Sequence, residues 1–239
     1  MITTERPRDP GVRNRFFIIL GITLFMIGVI TLVAVYYRKS TEEVALIQKT
    51  KALIGFSEER EIALLGLSRE TLTTKLTNEK ISFKLPVNSV LYVNTVGGDE
   101  KPAPVGNVLS LISPKMPASL SRSFEDKYML GIYSFDTNEV FIILTTNNYG
   151  ESYAGMLKWE KDMTTDLGKL FMIPPNTSST TPVFFDEELK NKDLRVMRGE
   201  DGKTLLLYSF VDRNTLIITK NESILTAVLS KYLINKTVR

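Results

Sequence analysis

The chain contains no histidine and no cysteine among its 239 residues. Ser-His-Asp and Cys-His nucleophiles are therefore excluded, as are thiolate and imidazole metal sites. The side chain that titrates nearest neutral pH is also missing. There is no Ser-x-x-Lys and no Gly-x-Ser-x-Gly. Gly150 and Gly155 have the spacing of a phosphate-binding loop, but Met156 stands where a lysine must reach the phosphates. No catalytic, cofactor-binding or metal-ligating residue is assigned, and no cofactor is expected.

Carboxylates and aromatic rings remain. Asp186-Glu187-Glu188 could supply an acid–base pair or hold a hard cation. Adjacent residues point in different directions, and nothing in the sequence supplies a second wall, so a solvated turn or helix start is the preferred reading. Glu200-Asp201 sits between Gly199 and Gly202, where turn chemistry explains it. Tyr149 and Tyr153, one helical turn apart, could join Trp159 in a sugar-stacking surface, although such rings more often fill a core.

These groups must be positioned by a domain that follows a long apolar segment. Residues 16–37 carry no charge and no proline. A helix of about 22 residues is roughly 33 Å long, enough to cross a bilayer core. Arg13 and Arg15 precede the run, Arg38 and Lys39 follow it, and Tyr36 and Tyr37 sit where ring side chains favour the headgroup layer. A cleaved signal peptide fits less well: the run is too long and Val33-Ala34-Val35 is a poor cleavage site. The expected location is a bacterial cytoplasmic membrane, single-pass. Basic residues nearly tie on the two sides, and the short tail favours N-terminus inside and domain outside. Gly21, Gly28 and Thr31 lie near one helix face and could form a membrane-helix contact, although ordinary glycine usage in a span explains them too.

Charge narrows the partners. The chain has 30 basic and 27 acidic residues. Such a balance gives no strong field for nucleic acid. The bilayer and other envelope proteins are the expected partners, and a homo-oligomer stays open.

The expected organisation is a basic tail over 1–15, the anchor over 16–37, juxtamembrane helices over 38–82, a first α+β unit over 83–173, a linker over 174–182 and a second unit over 183–239. Ser40-Thr41-Glu42-Glu43 forms a capping box, and Ser68 opens a second helix ending near Asn78. Strands are expected from Val90, over 128–135, 140–146, 192–198, 203–210 and 215–219. Short helices are expected over 108–112 and 118–124. Longer ones follow Asn147 or Asn148 to about Lys161, and then run over 224–233. Tyr133-Ser134-Phe135 recurs as Tyr208-Ser209-Phe210, and Ile142-Ile143 as Ile217-Ile218 at the same offset. The chain thus reads as an α+β protein whose antiparallel-sheet domain is built from two β-β-β-α-like units.

Three segments carry a resemblance: residues 129–136 (MLGIYSFD), 155–160 (GMLKWE) and 210–219 (FVDRNTLIIT). With these, the chain resembles the uncharacterised single-pass membrane proteins of Patescibacteria, the Candidate Phyla Radiation bacteria. The resemblance implies bacterial origin, an N-terminal anchor and a folded α+β domain. It supplies no activity and no site residue. The resulting expectation is a non-enzymatic, tethered binding or scaffolding module of the cell envelope. One subcase is an assembly protein like the inner-membrane alignment proteins of type IV pili, by analogy of architecture. The alternative is an envelope enzyme using carboxylates, such as a glycan hydrolase.

Overall fold

The computed structural model describes residues 18–34, 52–82, 84, 86–98, 101–174 and 183–238. The chain divides into two compact units, Met1–Thr50 and Lys51–Arg239. In the first, residues 18–34 form helix α1, with every side chain exposed. Thr23 and Thr31 turn their hydroxyls inward and donate to the carbonyls of Ile19 and Ile27, at 2.9 and 2.8 Å. Among the described residues no helix is long and apolar enough to cross a membrane. The described part of α1 falls short of the roughly 20 residues a bilayer core requires. The basic tail, both ends of the 16–37 run and the Ser40–Glu43 capping box lie outside the described residues, as does the linker beyond Pro174.

The second unit is α+β. Its described elements are β1 (Glu58–Ala63), α2 (Arg69–Ser82), β2 (Val90–Val96), α3 (Val105–Ile112), α4 (Ala118–Ser123), β3 (Phe124–Ser134), β4 (Asn138–Thr146), α5 (Tyr149–Leu167), β5 (Phe184–Leu189), β6 (Lys192–Arg198), β7 (Thr204–Asp212), β8 (Thr215–Thr219) and α6 (Glu222–Val238). The strands form one eight-stranded sheet ordered β1-β2-β3-β4-β8-β7-β6-β5.

The sheet is mixed, which corrects the expectation of an antiparallel one. β1 pairs parallel with β2. Parallel neighbours need a crossover, and α2 supplies it. β1 lies where only juxtamembrane helices were expected. It is an edge strand, Glu-Glu-Arg-Glu-Ile-Ala, in which only Ile62 is buried, so it lacks the alternation that marks a strand. β5 was also unexpected. It closes on β6 through Lys190 and Asn191, whose φ angles are +50° and +62°. Two residues with positive φ give the tight turn that matches strand twist, here without glycine.

Helix starts follow local chemistry. Ser68 Oγ accepts from the Thr71 amide at 3.2 Å ahead of α2. Asn148 Oδ1 accepts from Glu151 N at 3.3 Å ahead of α5, and Asn221 Oδ1 from Ile224 N at 2.9 Å ahead of α6. Each satisfies a backbone donor that the first turn leaves unpaired.

Side chains alternate along the central strands and build a core on each face of the sheet. Ile142, Leu144, Leu216 and Ile218 belong to the first core, beneath α2 to α5. Phe141, Ile143 and Ile217 belong to the second, beneath α6 and Ala52-Leu53-Ile54. The second unit is thus layered as helices, sheet, helix.

This layering corrects the reading of two equivalent β-β-β-α-like units. Four strands, not three, precede α6. β4 and β8 meet antiparallel at the sheet centre. A rotation exchanging the halves would have to be a two-fold normal to the sheet, and would leave α5 and α6 on one face. They occupy opposite faces: Met156, Trp159 and Met163 enter the first core, Ile224, Leu225 and Val228 the second. Tyr133 and Tyr208 likewise fall in different cores. The halves therefore share element order and local sequence but have opposite hand.

Candidate functional site

A cleft of about 320 Å³ lies between the first turns of α5 and strands β5 to β7. Its α5 wall is aromatic. Tyr149 and Tyr153 are 41% and 37% exposed, although large rings are usually covered. Their centroids are 5.7 Å apart at 25° between planes. Phe210 of β7 meets Tyr149 edge-on at 5.1 Å and lies 6.0 Å from Tyr153. The ladder is thus clamped to the sheet through one ring while two rings stay open to solvent.

The floor is an ion network. Arg195 Nε and Nη2 donate to the two carboxylate oxygens of Glu160, both at 2.8 Å. Arg195 Nη1 donates to Asp186 Oδ1 at 2.8 Å, and Tyr208 Oη donates to Glu160 Oε1 at 2.7 Å. Planar fork-to-fork pairing of this kind fixes orientation as well as charge. The Glu160 hydrogen bond holds the Arg195 guanidinium protonated far above its ordinary range. Burial, and then the Glu160 carboxylate, push the Tyr208 phenol well above its usual value, so it stays a donor. Glu160 thereby bolts α5 to the outer half of the sheet.

The outer wall is acidic. Asp186 stands opposite Arg195 in register, and Glu188 stands directly opposite Asp193. Period-two alternation puts Asp186, Glu188, Asp193 and Arg195 on one face. Glu187 points the other way: Arg198 grips it at 2.8 and 2.6 Å and also reaches Glu222 of α6 at 3.3 Å. That grip pulls the Glu187 carboxyl below its ordinary range. The acidic triplet at 186–188 is therefore a strand split between two faces rather than one acid–base pair.

The other candidates separate. Trp159 is buried, and its indole Nε1 donates to Asp166 Oδ2 at 2.8 Å, so it belongs to the core and not to the tyrosine ladder. Asp201 pairs with Lys203 at 3.0 Å in the β6–β7 turn. Around Gly21 and Gly28 no atom lies within 4 Å of an added Cβ, and Thr31 Oγ1 also donates to Gly28 O at 2.9 Å. Among the described residues no group of three or more acidic side chains could hold a metal ion. A second hollow of about 160 Å³ lies on the α6 side, lined by Leu53, Lys127, Thr145, Tyr232, Asn235 and Lys236. Its Asn235 and Lys236 are engaged by Leu53 O and Asp212, both at 2.9 Å.

Sequence reasoning missed Glu160, Arg195 and Phe210. Glu160 had a readable signal. At 100° per residue it falls about 20° from Tyr149 around the helix, whereas Trp159 falls about 80° away. Arg195 and Phe210 are brought in only by the sheet order. No protein-family model, curated protein or solved structure matches the chain.

Proposed function

We propose that this chain is a membrane-anchored, non-enzymatic binding module of a bacterial cell envelope, with the α5–β7 cleft as its binding site. The observation that carries the reading is an exposed tyrosine ladder held over an ion network that ties α5 to the sheet. Such a floor fixes the shape of the cleft and leaves the rings to make contacts, which is how concave recognition sites are built. The Glu160 carboxylate receives three hydrogen bonds and faces a bidentate guanidinium. Those bonds turn the carboxylate toward the sheet as a structural tie between α5, β6 and β7, and that favours this reading over glycan hydrolysis.

The anchor is supported by the uncharged run 16–37 and by α1, in which large apolar side chains from Ile18 to Val33 are all exposed. A helix apolar on every side belongs in lipid or in a large core. The membrane address, the orientation with the domain outside, the kinship with Patescibacteria membrane proteins and a role in assembling a surface structure all form part of this proposal. Tethering confines the cleft to a thin layer above the bilayer and raises its effective concentration toward other envelope components.

The test is made on full-length protein in native membranes. A photo-crosslinking side chain at position 157, beside the ladder on α5, should give discrete adducts. The Tyr149→Ser/Tyr153→Ser variant should lose them while keeping its circular dichroism spectrum. Adducts unchanged by removal of both rings would overturn the cleft as the binding site.

A further inference from the structure

The cleft carries a charge arrangement that the fold itself does not neutralise. Glu188 and Asp193 face each other directly across β5 and β6. Like charges at that spacing repel. Neither makes an ion pair among the described residues, and Lys192 points to the other face by strand alternation. Asp186 is paired, yet its side chain is 84% exposed. The one cation of the floor, Arg195, is consumed by Glu160 and Asp186. Asp186 and Asp193 line the cleft beside two open tyrosine rings, and Glu188 stands at its rim on the same face; among the described residues no cation but Arg195 lines it. An ammonium or guanidinium fits both features, because it pairs with carboxylates and lies favourably over ring faces.

The strand bearing two of these carboxylates is also an edge. β5 is the last strand of the sheet and pairs only with β6 among the described residues. Its cleft face shows Asp186 and Glu188, and its opposite face shows Phe185, which is 54% exposed. A row of carboxylates discourages pairing with a second copy of the same edge. It welcomes an extended segment of opposite charge, whose backbone can complete the ladder while alternate side chains reach the two faces.

We propose that β5 accepts an added strand from a basic partner polypeptide, with a lysine or arginine side chain seated in the cleft between Tyr153 and the carboxylates of Glu188 and Asp193. This deepens the binding-module reading and rests on it. The recognition pattern is alternation: basic residues toward the cleft and apolar residues toward Phe185.

The experiment uses full-length protein in a non-ionic detergent and a fluorescent Lys-Val-Lys-Val-Lys-Val peptide, followed by anisotropy. Matched peptides carry Glu or Ser in place of Lys, one carries N-methyl groups on alternate amides, and chitotetraose serves as a neutral glycan. The basic peptide should bind at least tenfold more tightly than the acidic and neutral ones, and weaken several-fold as salt is raised. Glu188→Gln/Asp193→Asn should weaken it about tenfold, which at 1.4 kcal/mol per decade is what two exposed ion pairs supply. That variant removes a repulsion, so it should melt no lower than the parent. Amide methylation should abolish binding. Equal affinity for all three charges, or an unchanged affinity in the double variant, would overturn the charge assignment. Full binding of the methylated peptide would overturn strand addition. Binding of chitotetraose alone would overturn the inference while leaving the cleft as a binding site, and tyrosine-dependent adducts in membranes without peptide binding would separate the two in the same way.

Discussion

Lys80 and Glu139 are both almost fully buried and meet at 2.7 Å. Thr137 Oγ1 donates to the other Glu139 oxygen at 3.1 Å. The pair joins α2 to the β3–β4 hairpin, and removing one partner leaves a charge stranded in the core. Glu139→Leu is expected to destabilise by about 3–5 kcal/mol, and Lys80→Met/Glu139→Leu to recover most of that loss, in paired denaturant melts. Asp166 presents the other face of burial. It accepts from Trp159 Nε1 at 2.8 Å and from the Lys115 amide at 3.1 Å, yet burial still outweighs these bonds and raises its carboxyl above the ordinary value of 3.8. A raised acid binds its proton more tightly folded than unfolded. Its contribution to stability is complete below the unfolded value and declines as pH rises through the folded one. Subtracting the Asp166→Asn melt from the parent melt across that interval should therefore give a difference that falls with rising pH. A flat difference would show that folding does not shift the Asp166 carboxyl. Ser113 is simpler. Its hydroxyl is buried with no partner among the described residues. Ser113→Ala should raise stability by about 1 kcal/mol in the same assay, because it removes an unsatisfied donor.

Elements show where sequence reasoning reached and where it stopped. The β3–β4 hairpin and α5 were legible because their signals are local: apolar strands, a polar turn and an asparagine cap. β1 and β5 were not. An edge strand buries one side of its backbone ladder and little of its side chains, so Glu58-Glu59-Arg60-Glu61 shows no strand pattern and fell within the expected juxtamembrane helices, and Asp186-Glu187-Glu188 read as a solvated turn or helix start. Lys190-Asn191 turns the chain without glycine, which hid the hairpin that β5 makes. The recurrence of Tyr-Ser-Phe was visible, but not that the two halves have opposite hand, because face and sheet order are properties of pairing. The candidate site divides the same way: the tyrosine ladder was written at helical spacing, while Arg195 and Phe210 reach it only through the order β8-β7-β6-β5. One interior pairing is testable at this scale. Gly131 stands opposite Phe141 in the β3–β4 ladder, and a Cβ there would run into the phenyl ring. The ring covers the glycine, a packing that replaces the missing side chain. Gly131→Ala should cost about 1–3 kcal/mol through overpacking. The cost should shrink when Phe141→Leu is made in the same chain, read as a non-zero coupling in a double-mutant cycle.

At the scale of the molecule the decisive quantity is the cost of leaving residues 16–37 in water. Large apolar side chains along α1 are exposed, and its threonine hydroxyls bond back to the chain instead of reaching outward. At about 25 cal/mol per Å² of apolar surface, a helix uncovered on all sides gains far more from lipid than one domain gains from folding. The full chain is therefore expected to sediment with membranes and to stay there through an alkaline carbonate wash. The positive-inside rule speaks weakly, since the arginines before the run are matched by Arg38, Lys39, Lys49 and Lys51 after it. Charge alone therefore leaves the orientation to be read from protection. Protease added to intact spheroplasts should digest a C-terminal tag and spare an N-terminal one, and the opposite protection pattern would turn the domain to the cytoplasm. The outcome bears directly on the cleft. An outward domain meets only exported segments, so a basic strand that fits β5 must itself cross the membrane or belong to another anchored chain. An inward domain would face a far larger pool of basic polypeptide, and three carboxylates and two rings alone would then give too little discrimination to define a partner.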